Sequence, residues 1–212
     1  MPDWSKFRIT APLWASAFLC LGMAQAATAQ SSASIANEGD NQQIWVDQSN
    51  ALDSRIAVDQ IGTNNQVTVT QADRDNDADV AAIGSDQSHD IIQRGDAANI
   101  LVLDSRGSAN ITATAQDGVA GGTNDAQILQ DGTTNSADIR QTALAGATNF
   151  LRLTQSGNDN EALLEQDGSG NDLLLTQTGD DNFADLTQRG SGLELGIVQD
   201  GGASITIRQT DF

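Results

Sequence analysis

From Gln42 to Gln209 the chain consists of seven-residue runs that end in an amide and alternate apolar with polar side chains. In "NQVTVTQ" (Asn65 to Gln71), Val67 and Val69 share a face with Asn65 and Gln71, whereas Gln66, Thr68 and Thr70 take the other. "NFLRLTQ" turns Leu151 and Leu153 inward and Arg152 outward; "SRIAVDQ" sets Ile56 and Val58 against Arg55 and Asp59. Strict alternation is the period-two mark of a strand with one buried face. Fifteen such strands can be read, nearly all with apolar residues at their third and fifth positions. The recurrent glycines between them disfavour a helix.

The punctuation is as regular as the apolar pattern. Strands end at Gln48, Gln60, Gln71, Gln93, Gln116, Gln130, Gln141, Gln155, Gln166, Gln177, Gln188, Gln199 and Gln209, with Ala82 and Ser105 as substitutes. They begin at Asn65, Asn76, Asn99, Asn110, Asn124, Asn135, Asn149, Asn160, Asn171 and Asn182; Ser54, Gln42 and Gln87 stand in elsewhere, and the place is lost at Leu193 and Ala203. Most steps between strand ends are 11 residues, two are 12, one is 10 and two are 14. The longest steps fall at "VAGGTN" and "TALAGATN", between a Gln and the next Asn. The turn glycines are Gly62, Gly84, Gly95, Gly107, Gly118, Gly132, Gly157, Gly168, Gly179, Gly190 and Gly201, placed for a backbone conformation that a side chain obstructs.

Strand, arc, strand, arc predicts an all-β fold: a parallel two-sheet β-solenoid, cross-β-like, with about 22 residues per coil and about 7.5 coils. At about 4.8 Å per coil the stack is on the order of 36 Å tall, with its two sheets about 10 Å apart. In such a stack each inward Gln or Asn lies over its own equivalent, so donor and acceptor find partners in a continuous amide ladder. An unpartnered buried amide group costs about 1–3 kcal/mol, so spacing must be kept. The ladders also fix register against a slip of two residues. "ADRDNDADVAA" (Ala72 to Ala82) is the weakest copy, a strand or a frayed coil where the chain opens first.

The N-terminus departs from this pattern. Lys6 and Arg8 precede an apolar stretch from Ala11 to Met23, and "ATA" at Ala27 to Ala29 offers small residues for cleavage. Residues 1–29 are therefore expected to be a secretory signal peptide, 30–41 a short N-terminal segment, 42–209 the solenoid and 210–212 a tail. Removal of the leader takes away Cys20 and both prolines, and disulfides cannot then brace the exported chain. Eight Arg remain against 28 acids, 24 of them Asp, a net charge near −20. That charge argues against nucleic acid and anionic lipid as partners, and no membrane insertion of the mature chain is expected.

No catalytic, metal or cofactor residues are assigned. His89, in "QSHDIIQ", falls at an inward position and reads as a hydrogen-bonded interior residue. The acids follow the repeat rather than a cleft, so no enzyme is expected. Asp117, Asp131, Asp167 and Asp200 each follow a ladder Gln, and acids crowd Asp180 and Asp181; their mutual repulsion is expected to restrain assembly. The alternative to a polymer is a monomeric secreted Asp-rich solenoid acting as a calcium-binding or adhesive surface module. The 11-residue Gln/Asn frame does not match calcium-binding nonapeptide arrays.

The pattern Q-x-G-x-x-N-x5-Q resembles the curlin repeat of curli fibre subunits. Full copies stand at Gln60–Gln71, Gln130–Gln141, Gln155–Gln166, Gln166–Gln177 and Gln177–Gln188. The resemblance implies a functional amyloid, a major or nucleating curli-type fibre subunit secreted through the periplasm and an outer-membrane curli-type secretion machinery. It implies self-assembly, with related subunits as further partners, into extracellular cell-surface fibres serving adhesion and the biofilm matrix. The family's longer N-terminal targeting segment is replaced here by "QSSASIANEGD". Docking faces are expected near Gln42–Gln60 and Leu193–Gln209.

Overall fold

The structure is a computed structural model and describes residues 8–10, 17–22, 31–48 and 51–211. It is built of two parallel sheets of nine strands each. Sheet I takes β1 (Arg8–Thr10), β3 (Ser32–Asp40), β6 (Arg55–Thr63), β9 (Asn76–Ser85), β11 (Ala98–Ser108), β13 (Thr123–Thr133), β15 (Thr148–Asn158), β17 (Asp172–Thr178) and β19 (Glu194–Asp200). Sheet II takes β2 (Ala17–Gly22), β4 (Gln42–Asp47), β7 (Gln66–Gln71), β10 (Ser88–Gly95), β12 (Ile111–Gly118), β14 (Ser136–Ala143), β16 (Glu161–Ser169), β18 (Phe183–Ser191) and β20 (Ser204–Thr210). The two-residue strands β5 (Ala51–Leu52) and β8 (Asp73–Arg74) pair with each other within the arcs. Successive strands alternate between the sheets, so the chain winds as a β-solenoid whose coils pair with the coils before and after.

Period-two burial runs through the stack. In β11, Asn99, Leu101, Leu103 and Ser105 are buried while Ile100, Val102 and Arg106 are exposed. Inward columns of Ile, Val, Leu and Ala from the two sheets merge into one core, from Ala33 and Ile35 at one end to Leu173, Leu175, Ala184 and Leu186 near the other. Ala78, Val80 and Ala82 in β9 are fully buried, so the weakest copy is an ordinary strand rather than a frayed one.

One boundary is corrected. The solenoid extends N-terminal to Gln42, because β3 pairs with β6 over nine residues with Asn37 opposite Gln60 and Gly39 opposite Gly62. Asn37 fills a Gln position, and that substitution hid the strand. The signal-peptide reading of residues 1–29 lies mostly outside the described residues. Its two described pieces, β1 and β2, pair in parallel with β3 and β4.

The two edges of the solenoid differ. From sheet I to sheet II the step between the inward strand-end residue and the next strand-start residue is five residues at every arc from Asn37–Gln42 to Gln177–Asn182, and four at Gln199–Ala203. From sheet II to sheet I it runs from five at Gln71–Asn76 to eight at Gln116–Asn124 and Gln141–Asn149. Each insertion therefore lies on one edge. On the constant edge the arc glycines stack directly: a Cβ at Gly132 (φ 132°) would lie 1.9 Å from the carbonyl oxygen of Gly157. Gly118 is the exception among the expected turn glycines. Its φ is not positive, and it is required for room, with Cβ of Ala97 2.6 Å from where its own would stand.

A second left-handed position went unread in the sequence. The residue before the strand-start amide has φ of 58° at Asn64, 57° at Asp86, 59° at Thr134, 55° at Asp159 and 59° at Asp181. Asn and Asp tolerate this region best among residues with a side chain, so part of the Asp content serves the backbone. Asp73, with φ 69°, fills a glycine position in the same way.

Candidate functional site: the amide columns and the ends of the stack

In sheet II the strand-end glutamines form one unbroken column. Gln48 donates from Nε2 to Oε1 of Gln71 at 2.9 Å, Gln71 to Gln93 at 2.8 Å, and Gln93 to Gln116 at 2.8 Å. The chain continues from Gln116 to Gln141 at 2.9 Å, Gln141 to Gln166 at 2.9 Å, Gln166 to Gln188 at 3.0 Å and Gln188 to Gln209 at 2.9 Å. The second Nε2 hydrogen goes to a backbone carbonyl of sheet I, as from Gln71 to Arg55 at 2.9 Å and from Gln166 to Phe150 at 2.9 Å. Each amide thus ties its coil to the next and the two sheets to each other.

Sheet I carries a shorter column. Gln130 donates to Gln155, Gln155 to Gln177 and Gln177 to Gln199, each at 2.9 Å. Below Gln130 the register partners are Ser105 and Ala82, which break it. Gln60 is left with an unpartnered buried Oε1, as is Asn37 with its Oδ1. At the upper edge of the break Thr112, from sheet II, donates its hydroxyl to Oε1 of Gln130 at 2.8 Å in place of the missing amide.

The asparagines act differently from the expected simple ladder. Asn99 donates to Asn76 at 2.8 Å, Asn124 to Asn99 at 2.9 Å, Asn149 to Asn124 at 3.4 Å, Asn160 to Asn135 at 3.0 Å and Asn182 to Asn160 at 2.8 Å. Asn65, Asn110 and Asn171 instead donate to the carbonyls of Gly84, Gly132 and Gly190 at 3.1, 3.3 and 3.2 Å. Their Oδ1 atoms accept the backbone N–H of Gln87, Asn135 and Leu193 in the following coil. The physical reason is reach. The shorter side chain sits at the mouth of the arc, where backbone groups outside the sheet need partners.

The acids that follow the glutamines are interleaved with other residues: Asp117 and Asp167 lie two coils apart in one column. Asp117 sits between Arg94 and Thr142, Asp131 between Arg106 and Ser156, and Asp167 between Thr142 and Arg189. Arg94 meets Asp117 at 3.1 Å, and Arg55 meets Asp77 at 2.8 Å in the same coil-to-coil fashion. None of those acids lies directly over another, and these exposed ion pairs add little stability. Asp159 and Asp181, at equivalent arc positions, are a surviving like-charge neighbour pair.

His89 is buried on the inner face of β10, between Val67 and Thr112. Its Nε2 lies 3.1 Å from Oε1 of Gln87, which accepts only, so the proton is on Nε2 and Nδ1 is left without a partner. Burial pulls its pKa down from 6.5 to about 4, so the ring is neutral near pH 7. Among the described residues no three His, Cys, Asp or Glu are grouped to hold a metal ion, and no helix is long and apolar enough to cross a membrane.

At the ends, β19 and β20 are the last strands of their sheets, with Leu195, Ile197, Ile205 and Ile207 half-covered against the core. At the other end Gln48 and Gln42 have buried Oε1 atoms without a described partner. The geometry therefore defines a parallel two-sheet solenoid with directional amide columns. Residues 146–179 match the curlin associated repeat, the stretch that holds Gln155, Gly157, Asn160, Gln166, Gly168, Asn171 and Gln177. No curated protein and no solved structure matches the chain.

Proposed function

We propose that this chain is a curli-like fibre subunit that polymerises head to tail outside the cell, after export with residues 1–29 as leader. The carrying observation is the direction of the sheet II column: every Nε2 donates toward the C-terminal end, from Gln48 through to Gln209. A second copy continues it by placing Oε1 of its Gln48 above Nε2 of Gln209, while β3 and β4 of that copy pair with β19 and β20. Unpaired strand edges are templates for this kind of addition. Such an interface is heterologous and does not close, so it yields filaments. The role is structural rather than enzymatic: adhesion and matrix formation by the fibre, with curli-type secretion machinery and related subunits as partners.

The test is to incubate residues 30–212 at micromolar concentration and follow them by electron microscopy and fibre diffraction. Fibres with a meridional spacing of about 4.7 Å are expected. A stable monomer that needs calcium overturns this reading and favours the binding-module alternative.

A further inference from the structure

The break in the sheet I column coincides with an exchange of residues across the core. Where sheet I has Gln130, Gln155 and Gln177, the first inward residue of the following sheet II strand is Ala137, Ala162 and Ala184. Where sheet I has Ala82 and Ser105, that place holds His89 and Thr112. The bond from Thr112 to Gln130 at 2.8 Å fixes the geometry, because it sets this sheet II position against the sheet I column one coil on. The same translation, one coil back, brings His89 level with Ser105. Volume lost from one sheet is thus restored from the other, but hydrogen bonding is not. Oε1 of Gln60, Nδ1 of His89, Oγ of Ser105 and Oγ1 of Thr114 all lie buried without partners in consecutive coils.

We propose that the two coils β9–β12 are an acid-sensitive breakpoint of the solenoid, where the stack opens first as pH falls because a neutral imidazole replaces the missing column amides. No inward neighbour offsets a charge on His89. The charged groups of the strands around it are Arg55 and Asp59 on β6, Asp77 and Asp79 on β9, Asp90 and Arg94 on β10, Asp104 and Arg106 on β11, and Asp117 on β12. All of them point outward, and β7 carries none. Burial is the one cause of the lowered pKa, and the opened segment takes a proton at 6.5 where the closed one waits until about 4. Stability is therefore full above pH 6.5, falls through the window down to about 4, and loses nothing more from this group below that. Between pH 7 and pH 5 the opening equilibrium of the segment is expected to rise about 20-fold.

The experiment is amide hydrogen exchange on the full-length chain at pH 7 and pH 5, corrected for intrinsic exchange rates and read on the unpolymerised protein, so that it does not depend on fibre formation. Peptides spanning residues 76–118 are expected to lose protection about 20-fold at pH 5 relative to peptides from 149–190. His89→Val, which copies Val67 of the preceding coil, is expected to abolish that difference. The pair Ala82→Gln with His89→Ala copies the Gln130 and Ala137 arrangement and is expected to do the same, and it serves if the single variant fails to fold. Equal protection of residues 76–118 at both pH values overturns the proposal. So does a pH step that survives in either variant, since the carboxylates then carry it.

Discussion

Gln155 and Gln177, 22 positions apart, are vertical neighbours: Nε2 of the first donates to Oε1 of the second at 2.9 Å, and both are fully buried. Gln155 also donates to the carbonyl of Asn160 at 3.1 Å and of Ser136 at 3.0 Å, so one side chain binds its own coil, the facing sheet and the next coil.

Position in the columns should decide how much a glutamine is worth. Gln166→Leu strips a partner from both Gln141 and Gln188, and is expected to cost about 2–4 kcal/mol. Gln60→Leu is expected to cost less than about 1 kcal/mol, because its Oε1 has no partner and its Nε2 reaches Gln43 at 3.4 Å. Urea unfolding midpoints at constant slope provide the comparison. Equal losses would show that the columns contribute volume rather than hydrogen bonds.

Glycine on the constant edge is a matter of room. Gly132→Ala puts a methyl 1.9 Å from a neighbouring carbonyl oxygen at a φ of 132°, and is expected to cost more than about 3 kcal/mol. Gly196→Ala has open space and no left-handed φ, and is expected to be neutral or to stabilise by up to about 1 kcal/mol. Thermal midpoints of the two variants test this contrast.

Ala109 is out of character at its arc position, with φ 54° where the neighbouring coils use Asp86 and Thr134. Ala109→Asn or Ala109→Gly should relieve that strain and stabilise the protein by about 1 kcal/mol. A drop in urea midpoint for both variants would mean that the methyl is packed to advantage.

Asp125 faces outward between Ile100 and Phe150, and desolvation there raises its carboxyl pKa against a weaker opposing bond from Gln127. A folded pKa above the unfolded one means that ionisation destabilises the fold at neutral pH. Asp125→Asn is expected to stabilise at pH 7. The gain should fade as pH drops through the raised folded value toward 3.8, where both states hold the proton. Denaturation curves at several pH values read the sign directly.

Fibre growth should depend on sheet II more than on sheet I. In the proposed head-to-tail joint Gln209 would meet Gln48, whereas Gln199 would meet the shorter Asn37. Gln209→Lys or Gln48→Lys is expected to slow seeded elongation about tenfold or more, and Gln199→Lys substantially less. Equal effects would remove the directional column from the assembly mechanism.

Most of this architecture was legible because every coil repeats one solution. Alternation placed Val67, Leu151 and Leu153 inside, and the Gln spacing placed Gln155 under Gln177. What the sequence hid were substitutions that conserve a role while changing the residue. Asn37 fills a strand-end position where most strands carry Gln, Asp73 does a glycine's backbone work, and Thr112 supplies a hydrogen bond from the opposite sheet. Asparagines spaced like the glutamines predict the same ladder. Their shorter reach turns several of them to backbone carbonyls instead, which spacing does not encode. The acids after the glutamines share a place in the repeat, but spacing does not encode what stacks between them: Arg94 and Arg189 lie directly next to Asp117 and Asp167 in the neighbouring coils.

The unequal edges have a practical consequence. Turns of varying length are already accommodated along one seam, up to the exposed Val119 and Leu144 loops, while the opposite seam is locked by glycine on glycine. A short peptide grafted near Gly121 or Gly146, where a side chain would meet nothing, should ride outside the stack without disturbing it. Repeated along a filament, that seam would become a decorated ridge with one copy of the graft per subunit, facing a bare ridge on the other side.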